Sequence, residues 1–243
     1  MSSLLERQRA ATVAVWRADV ATRPRGDWVD LGGLACHTTG LPVPYWNGAH
    51  LTEPSGLARL HDAARWFEDR GMPWGVLVPS ELGLAVPLEL VTEQRVMTRD
   101  LAGLPPVPDL DLRWGHSPDV LQVQVDAFGD DDLAEFLSPK ADLAGCAIVT
   151  AYDAGDPVAT ARVICVGGVA AVYGVGTVRS HRRRGLGAAV TLAALHEGLR
   201  RGCDLSYLNP SDLGYGVYAA LGFTDALPWR VYRTLAVTAL AAE

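Results

Sequence analysis

The sequence predicts a mixed α/β protein made of two related halves. Three observations lead to this fold class. Segments with strand and helix patterns alternate over residues 111–236, a basic turn that contains glycine joins one such strand to a helix, and an internal repeat relates the two halves. The stretch 103–110, rich in proline, suits a stiff linker. We therefore expect one domain at 1–102 and a second at 111–243.

The first half opens with MSSLLERQRAATVAVWRADV, a charged segment whose spacing predicts an amphipathic helix. This segment has no signal-peptide core, and no apolar run in the chain approaches the length of a membrane span. We therefore expect a cytoplasmic protein without a membrane partner. Further along, LARLHDAARWFEDRG predicts a second helix and RVMTRDL a strand.

The second half gives a regular series of elements. Ser117-Pro118-Asp119 is typical of a helix start, and that helix should end near Gly129. Two apolar stretches around Ala154-Gly155-Asp156-Pro157 predict a hairpin. The predicted strands are 111–114, 145–153, 157–166, 169–178, 203–209 and the final WRVYRTLAV; helices start at Ser117, after the basic turn and after Pro210.

Composition limits the classes of function. The net charge of −7 makes nucleic acid an unlikely partner. Neither C-x-x-C spacing nor a His/Cys cluster suggests a metal site, so we predict no metal. The four cysteines, expected to be small buried residues in a reducing compartment, are Cys36, Cys146, Cys165 and Cys203.

The basic turn is the strongest functional signal. Arg182-Arg183-Arg184-Gly185-Leu186-Gly187 stands between the strand AAVYGVGTV and a helix. The first amides of a helix have no internal partners, and the helix dipole favours an anion there. The two glycines allow a phosphate to approach the backbone, and the arginines add charge. The pattern favours a diphosphate ligand, with a solvated basic turn as the alternative.

Together with a second motif, this turn resembles the GNAT superfamily of acyl-CoA-dependent N-acyltransferases. The family's pyrophosphate loop, [R/Q]-x-x-G-x-[G/A], corresponds to residues 182–187. Its tyrosine followed by Leu-Gly-Phe corresponds to Tyr218 and Leu221-Gly222-Phe223. The resemblance covers residues 111–236. It implies a tandem GNAT fold in which each half is a mixed, mostly antiparallel sheet flanked by helices.

The resemblance also implies roles for individual residues. Tyr218 would be the catalytic acid that protonates the leaving thiolate, and its alternative is a core aromatic. Asn209 or Ser211 would contact the CoA arm, although both also suit turns and caps. The strand end would pair with pantetheine, although its glycines could merely bend the strand. The implied backbone contacts are Gly176, Thr177 and Val178 for pantetheine, and Arg183, Arg184, Gly185, Leu186, Gly187 and Ala188 for the pyrophosphate.

No general base is evident in the sequence. The strand at 169–178 carries no carboxylate, so a water chain or a residue from another loop would have to serve. His181, Asp126 and Glu135 are available, and each is better interpreted as a structural or solvated side chain.

The repeat predicts that the first half has the same fold without the chemistry. At an offset of 131 residues, Arg70-Gly71 aligns with Arg201-Gly202, and the Pro79–Gly83 turn aligns with Pro210–Gly214. Pro87 falls on the position of Tyr218, and HLTEPSG falls on the basic turn. The first half is therefore expected to be a degenerate GNAT domain that does not bind CoA.

The resemblance implies an N-acetyltransferase that uses acetyl-CoA or another acyl-CoA as co-substrate and a small-molecule amine as acceptor, by direct attack in a ternary complex. Two alternatives stay open: an acyltransferase with a different donor such as aminoacyl-tRNA, and a non-catalytic regulator that binds acyl-CoA. The cleft between the halves and the acidic segment 129–144 are expected to shape the acceptor site. The oligomeric state, monomer or homodimer, is left undecided.

Overall fold

A computed structural model describes residues 3–86, 88–129 and 143–233, with Tyr45 described by its backbone only. These residues fall into two compact units. The C-unit contains Met1–Ala11 and Met97–Asp225, and the N-unit contains Thr12–Val96 and Ala226–Glu243. Domain limits at 102 and 111 stay a prediction.

The helices and strands follow one another in the predicted alternation. The described helices are α1 (Leu4–Ala21), α2 (Leu60–Glu68), α3 (Pro118–Phe128), α4 (Leu186–Arg200) and α5 (Asp212–Ala220). The described strands are β1 (Asp27–Asp30), β2 (Leu34–Thr38), β3 (Asn47–Leu51), β4 (Gly75–Pro79), β5 (Glu89–Asp100), β6 (Asp111–Trp114), β7 (Cys146–Asp153), β8 (Asp156–Val166), β9 (Val169–Thr177), β10 (Leu205–Leu208) and β11 (Thr224–Arg233).

Each unit contains a mixed sheet, and the two sheets share one pattern of strand directions. In the N-unit the order is β1-β2-β3-β4-β11, and only β3 and β4 are parallel. In the C-unit the order is β6-β7-β8-β9-β10, followed by residues 97–100 of β5, and only β9 and β10 are parallel. The predicted fold class, a mixed α/β sheet in each half, is confirmed.

Local sequence signals placed most boundaries of the C-unit. Ser117 caps α3, because its hydroxyl accepts the Asp119 N–H at 3.0 Å, and Gly129 ends this helix with a φ of 70°. The hairpin between β7 and β8 turns at Ala154 and Gly155, with φ values of 52° and 93°. The turn is shorter than predicted by one residue, since β8 already begins at Asp156 and not at Pro157.

The pairing of the last strand was not predicted. β11 begins at Thr224, before the predicted WRVYRTLAV, and the last four residues of that stretch lie outside the described residues. Trp229–Arg233 pairs antiparallel with β4 of the first half, while β10 pairs with the end of β5. Each unit thus completes its sheet with a strand from the other half of the sequence.

Two other expectations need correction. α1 is helical as predicted, but it is not simply amphipathic, because its buried residues include Gln8 and Asp19. The carboxylate of Asp19 accepts a hydrogen bond from Arg23 Nε at 2.5 Å, which compensates part of the cost of burying this charge.

The cysteines were expected to be buried. Cys36 and Cys203 are buried, whereas Cys146 and Cys165 are only partly so. Among the described residues, no helix has the length and apolar character needed to cross a membrane.

The core of the C-unit holds α4 against the sheet. Gly198 allows the close approach, since a Cβ there would lie 2.6 Å from the Ala170 Cβ on β9. Leu195 of α4 and Val163 of β8 are fully buried in the same cluster. This packing fixes where the N-terminus of α4 points, and so it positions the basic turn.

Candidate functional site

The end of β9 is an open strand edge. β9 pairs in parallel with β10 through Val169–Ala171, and β10 ends at Leu208. β9 then continues to Thr177 beside β8 alone. Its register with β8 shifts at Gly174, which has a φ of 58° and forms a bulge. A bulge beside an unpaired strand edge can receive an extended, amide-bearing chain.

The three residues predicted to pair with pantetheine differ in what their backbones offer. Val178 donates its N–H to Val158 O at 3.0 Å, and its carbonyl accepts the His181 N–H. Antiparallel pairs alternate, so Gly176 also faces β8, opposite Thr160. The backbone of Thr177 points the other way, toward the open edge. A Cβ on Gly176 would lie 3.1 Å from the Ala127 Cβ, so α3 packing explains this glycine.

The basic turn leads into the N-terminus of α4. Gly185 has a φ of 79° and precedes the helix, whose first internal bond joins Ala189 N–H to the Gly185 carbonyl at 3.0 Å. The amides of Leu186, Gly187 and Ala188 therefore have no acceptor within the helix. A Cβ on Gly187 would lie 3.3 Å from Thr177 Oγ1, so this glycine brings the helix start against the end of β9.

The three arginines of the turn have different surroundings. Arg182 donates to Ala127 O at 2.6 Å and to Thr177 O at 3.3 Å. Arg184 pairs with Asp153 at 3.0 Å. Arg183 is exposed and has a φ of 62°, a left-handed conformation uncommon outside glycine. The sequence suggested three equivalent cations, and the structure separates them.

Tyr218 lies on α5 within the C-unit core and is 9% exposed. Its ring contacts Phe223 edge-on at a centroid distance of 6.1 Å, and the absence of a side chain at Gly214 makes room for it. Burial raises the pKa of the Tyr218 phenol to about 12. The described residues supply no hydrogen bond to its hydroxyl. The phenol is therefore protonated at neutral pH and can act as a hydrogen-bond donor.

The two candidates for the CoA arm lie between β10 and α5. Ser211 caps α5, because its hydroxyl accepts the Gly214 N–H at 3.2 Å. Asn209 follows the last residue of β10 and is half-buried. The capping role of Ser211 is the alternative that the sequence left open, and contact of either residue with a ligand stays a prediction.

Sequence analysis missed a polar cluster before the bulge. The hydroxyls of Tyr173 on β9 and Tyr207 on β10 lie 2.8 Å apart. The guanidinium of Arg162 lies 5.8 Å from the Tyr173 ring. Gln124 of α3 is 2% exposed, and within the described residues its Oε1 has no hydrogen-bond partner. No local pattern marks these residues, because three strands and a helix contribute them.

The side chains considered as a general base have structural partners. Asp126 accepts the Arg179 N–H at 2.5 Å. His181 Nε2 lies 3.4 Å from Asp153, and its Nδ1 lies 2.9 Å from Ser180 Oγ. Glu135 and the acidic segment after Gly129 lie outside the described residues, except for its end. In the described ranges, no group of three or more His, Cys, Asp or Glu side chains is arranged to hold a metal.

The N-unit has a different junction at the aligned position. HLTEPSG covers the end of β3 and the start of a 3-10 helix, Pro54–Arg59. The amides of Thr52 and Glu53 both donate to the Gly33 carbonyl, at 2.9 and 3.2 Å. Pro87, aligned with Tyr218, lies outside the described residues.

Comparison with known proteins supports one family. Residues 114–223 match the model of the acetyltransferase (GNAT) family. No curated protein matches the chain. A GCN5-related N-acetyltransferase from Kribbella flavida has a similar structure, with a TM-score of 0.73 and 22% identity over 93% of this chain and 95% of that one.

Two further solved structures are similar over most of the chain. A tandem GNAT protein from the clavulanic acid biosynthesis pathway gives a TM-score of 0.61, with 15% identity over 94% of each chain. A GCN5-related N-acetyltransferase from Sphaerobacter thermophilus gives 0.57, with 18% identity over 85% of this chain and 82% of that one. At these identities the likeness concerns the fold. Residues 114–223, which contain the open strand edge, the basic turn and Tyr218, are a domain of the GNAT acetyltransferase family.

Proposed function

We propose that this protein is an N-acetyltransferase that transfers an acetyl or other acyl group from acyl-CoA to the amine of a small molecule. The observation that carries the proposal is the junction of β9 and α4. There, the open amides of Leu186–Ala188 meet the unpaired strand edge at Thr177, inside the segment that matches the GNAT family. One anion site beside one amide-pairing edge suits a ligand with a diphosphate and an extended pantetheine arm.

The residues present fit this co-substrate. The amides at the start of α4 would hold the diphosphate, since the helix dipole and free N–H groups both favour an anion. Gly185 has no atom within 4 Å of an added Cβ, so the space above it is open. Thr177 would donate its backbone N–H to the arm, because its carbonyl already accepts a hydrogen bond from Arg182. Asn209 or Ser211 would contact the arm from the other side.

Tyr218 would act when the thioester breaks. The amine nitrogen attacks the thioester carbon, a C–N bond forms, and the C–S bond breaks as its electron pair moves to sulfur. Tyr218 donates its proton to that sulfur and regains a proton from solvent, and the amine loses its own proton to water. The phenol is protonated at neutral pH when the thiolate appears, and burial, which raises its pKa to about 12, favours this neutral form.

We propose further that the first half, 1–102, holds no acyl-CoA. Its junction presents Glu53 where the C-unit presents arginine, and the amides before its helix are already bonded to Gly33. An anion at this junction would face the Glu53 carboxylate instead of an arginine, and the Thr52 and Glu53 amides would not be available to it.

Thiol release is the direct test. Purified protein with acetyl-CoA and a panel of small amines should liberate free CoA only when a suitable amine is present. Tight binding of acetyl-CoA without release for any amine would instead favour a regulator. Activity that requires aminoacyl-tRNA and ignores acetyl-CoA would favour the other donor. Either result would contradict the proposal.

A further inference from the structure

We propose that Arg183 alone provides the side-chain cation for the acyl-CoA diphosphate, and that Arg182 is a positioning residue while Asp153 restrains Arg184. The proposal rests on the proposed function, because it assigns roles within the same site. It divides a run of three adjacent arginines into three tasks.

The Arg182 guanidinium already donates hydrogen bonds to two backbone carbonyls. Its Nη2 donates to Ala127 O at 2.6 Å, and its Nε donates to Thr177 O at 3.3 Å. Ala127 lies in the last turn of α3, where carbonyl groups lack helical partners and a cation is favourable. Arg182 thus ties the end of α3 to the end of β9. This tie fixes the strand edge on which pantetheine would lie.

Arg184 is neutralised by a neighbour from another element. Asp153, the last residue of β7, lies 3.0 Å from Arg184 and 3.4 Å from His181 Nε2. The Arg184 side chain is 55% exposed, so the pair is weak and the guanidinium could move if Asp153 were neutral. While Asp153 is ionised, the positive charge of Arg184 is balanced within the protein.

Arg183, unlike Arg182 and Arg184, is held neither by backbone carbonyls nor by a carboxylate. It is exposed, and no hydrogen bond or ion pair to its side chain occurs among the described residues. Its φ of 62° is a left-handed conformation that is strained for a residue with a side chain. It also places a positive charge near the positive end of α4, where a cation is unfavourable. An anion bound at the amides of Leu186–Ala188 would turn that repulsion into attraction.

Glycine at position 183 separates binding from folding. Arg183→Gly removes the guanidinium and also relieves the left-handed backbone, so the variant should be at least as stable as the wild type. We expect its affinity for CoA, measured by calorimetry, to fall about tenfold, as for loss of a charge-assisted hydrogen bond. Its affinity should also depend less on salt between about 50 and about 300 mM, because one exposed charge interaction is gone.

The other two arginines provide the contrast. Arg184→Ala should change CoA affinity less than about threefold, and Asp153→Asn should raise it, because the freed Arg184 can reach the anion. Arg182→Ala should lower both the unfolding temperature and CoA affinity while leaving the salt dependence of binding as in the wild type. Arg182→Lys should rescue only partly, since an ammonium lacks the fork that spans two carbonyls.

Each outcome decides the assignment. Wild-type CoA affinity and salt dependence in Arg183→Gly would overturn it, as would an equal loss of salt dependence in Arg182→Ala or Arg184→Ala. A wild-type protein that does not bind CoA at all would instead contradict the proposed function. These failures are distinguishable, because the first occurs with an intact CoA site.

Discussion

In the C-unit, β9 runs six residues past its last pair with β10, from Val172 to Thr177, whereas in the N-unit β3 ends one residue past its last pair with β4, at Leu51. The two units share the same pattern of strand directions. They differ in how much backbone stays unpaired at the parallel junction. A ligand that binds by backbone hydrogen bonds needs that free edge.

The segments that follow β9 and β3 also differ in whether their backbone amides have acceptors. In the C-unit, the amides of Leu186, Gly187 and Ala188 stay open at the start of a long helix. In the N-unit, Thr52 and Glu53 donate to Gly33, and Gly56 donates to the Glu53 carbonyl at 2.9 Å. The C-unit junction thus leaves three successive amides without an acceptor within the helix, whereas at the N-unit junction the amides of Thr52, Glu53 and Gly56 already donate to backbone carbonyls.

Aligned glycines show the change most clearly. Gly187 aligns with Gly56 at the repeat offset. A Cβ on Gly187 would meet the Thr177 hydroxyl at 3.3 Å, whereas a Cβ on Gly56 would lie 2.1 Å from the Gly33 carbonyl oxygen. The first glycine seats a helix beside the open strand edge, and the second allows two backbones to close against each other. The two units therefore keep one pattern of strand directions while the backbone groups at the junction are arranged differently.

The largest expected effect, on turnover, concerns Tyr218. At the repeat offset the first half of the chain has Pro87 in its place. Tyr218→Phe should lower kcat about 100-fold or more with little change in the KM for acyl-CoA, because a proton donor to the leaving sulfur acts mainly in the transition state. Steady-state kinetics with a matched amine would measure the split.

Tyr215→Phe is the matched control on the same helix. The Tyr215 hydroxyl bonds to Asp225 at 2.8 Å, so its loss should affect kcat less than about threefold. If Tyr218→Phe behaved like Tyr215→Phe while retaining its fold by circular dichroism, Tyr218 would be a packing residue only.

Glycine substitutions should separate binding from folding across the two junctions. Gly185→Ala meets no atom within 4 Å but must adopt a φ of 79°, so we expect CoA affinity to fall about tenfold with a modest loss of stability. Gly56→Ala must displace the Gly33 carbonyl, which should lower the free energy of unfolding by about 1–3 kcal/mol. Calorimetry with CoA and chemical denaturation provide the two readouts.

Weaker CoA binding in a folded Gly56→Ala protein, or unchanged CoA binding in Gly185→Ala, would contradict the placement of the CoA site at the C-unit junction.

The smallest expected effect is a pH dependence of folding stability that arises from a histidine of the N-unit. His37 of the N-unit is 2% exposed and stacks on Trp16 at 4.3 Å. Burial, with added repulsion from His50 and Arg23, holds the pKa of His37 well below its usual 6.5. The unfolded chain therefore binds a proton that the folded chain does not. Stability should be intact above pH 6.5 and fall by up to about 1.4 kcal/mol per pH unit below it.

His37→Phe keeps an aromatic ring against Trp16 and removes the titrating group. Denaturation curves at several pH values should show a flatter acid limb for this variant than for the wild type. Identical limbs in the two proteins would show that His37 does not set the acid sensitivity of the N-unit.

Features set by local sequence could be predicted. Ser117, Gly129 and the basic turn signal caps and turns through chemistry within a few residues. Longer-range features could not. The tie between Arg182 and Ala127 spans 55 positions, and the partner of β11 depends on which sheet edge is open. The direction of the Val178 amide follows from strand register, which the sequence pattern leaves unspecified.

The number of CoA molecules bound per chain distinguishes the open junction of the C-unit from the closed junction of the N-unit. Calorimetric titration of the full chain should give one site, which disappears when the α4 junction is blocked by Gly185→Trp and persists when the β3 junction carries Glu53→Gln. Two sites of similar affinity, or one site that survives Gly185→Trp, would contradict the account, because the N-unit would then bind the ligand that its closed junction is expected to exclude.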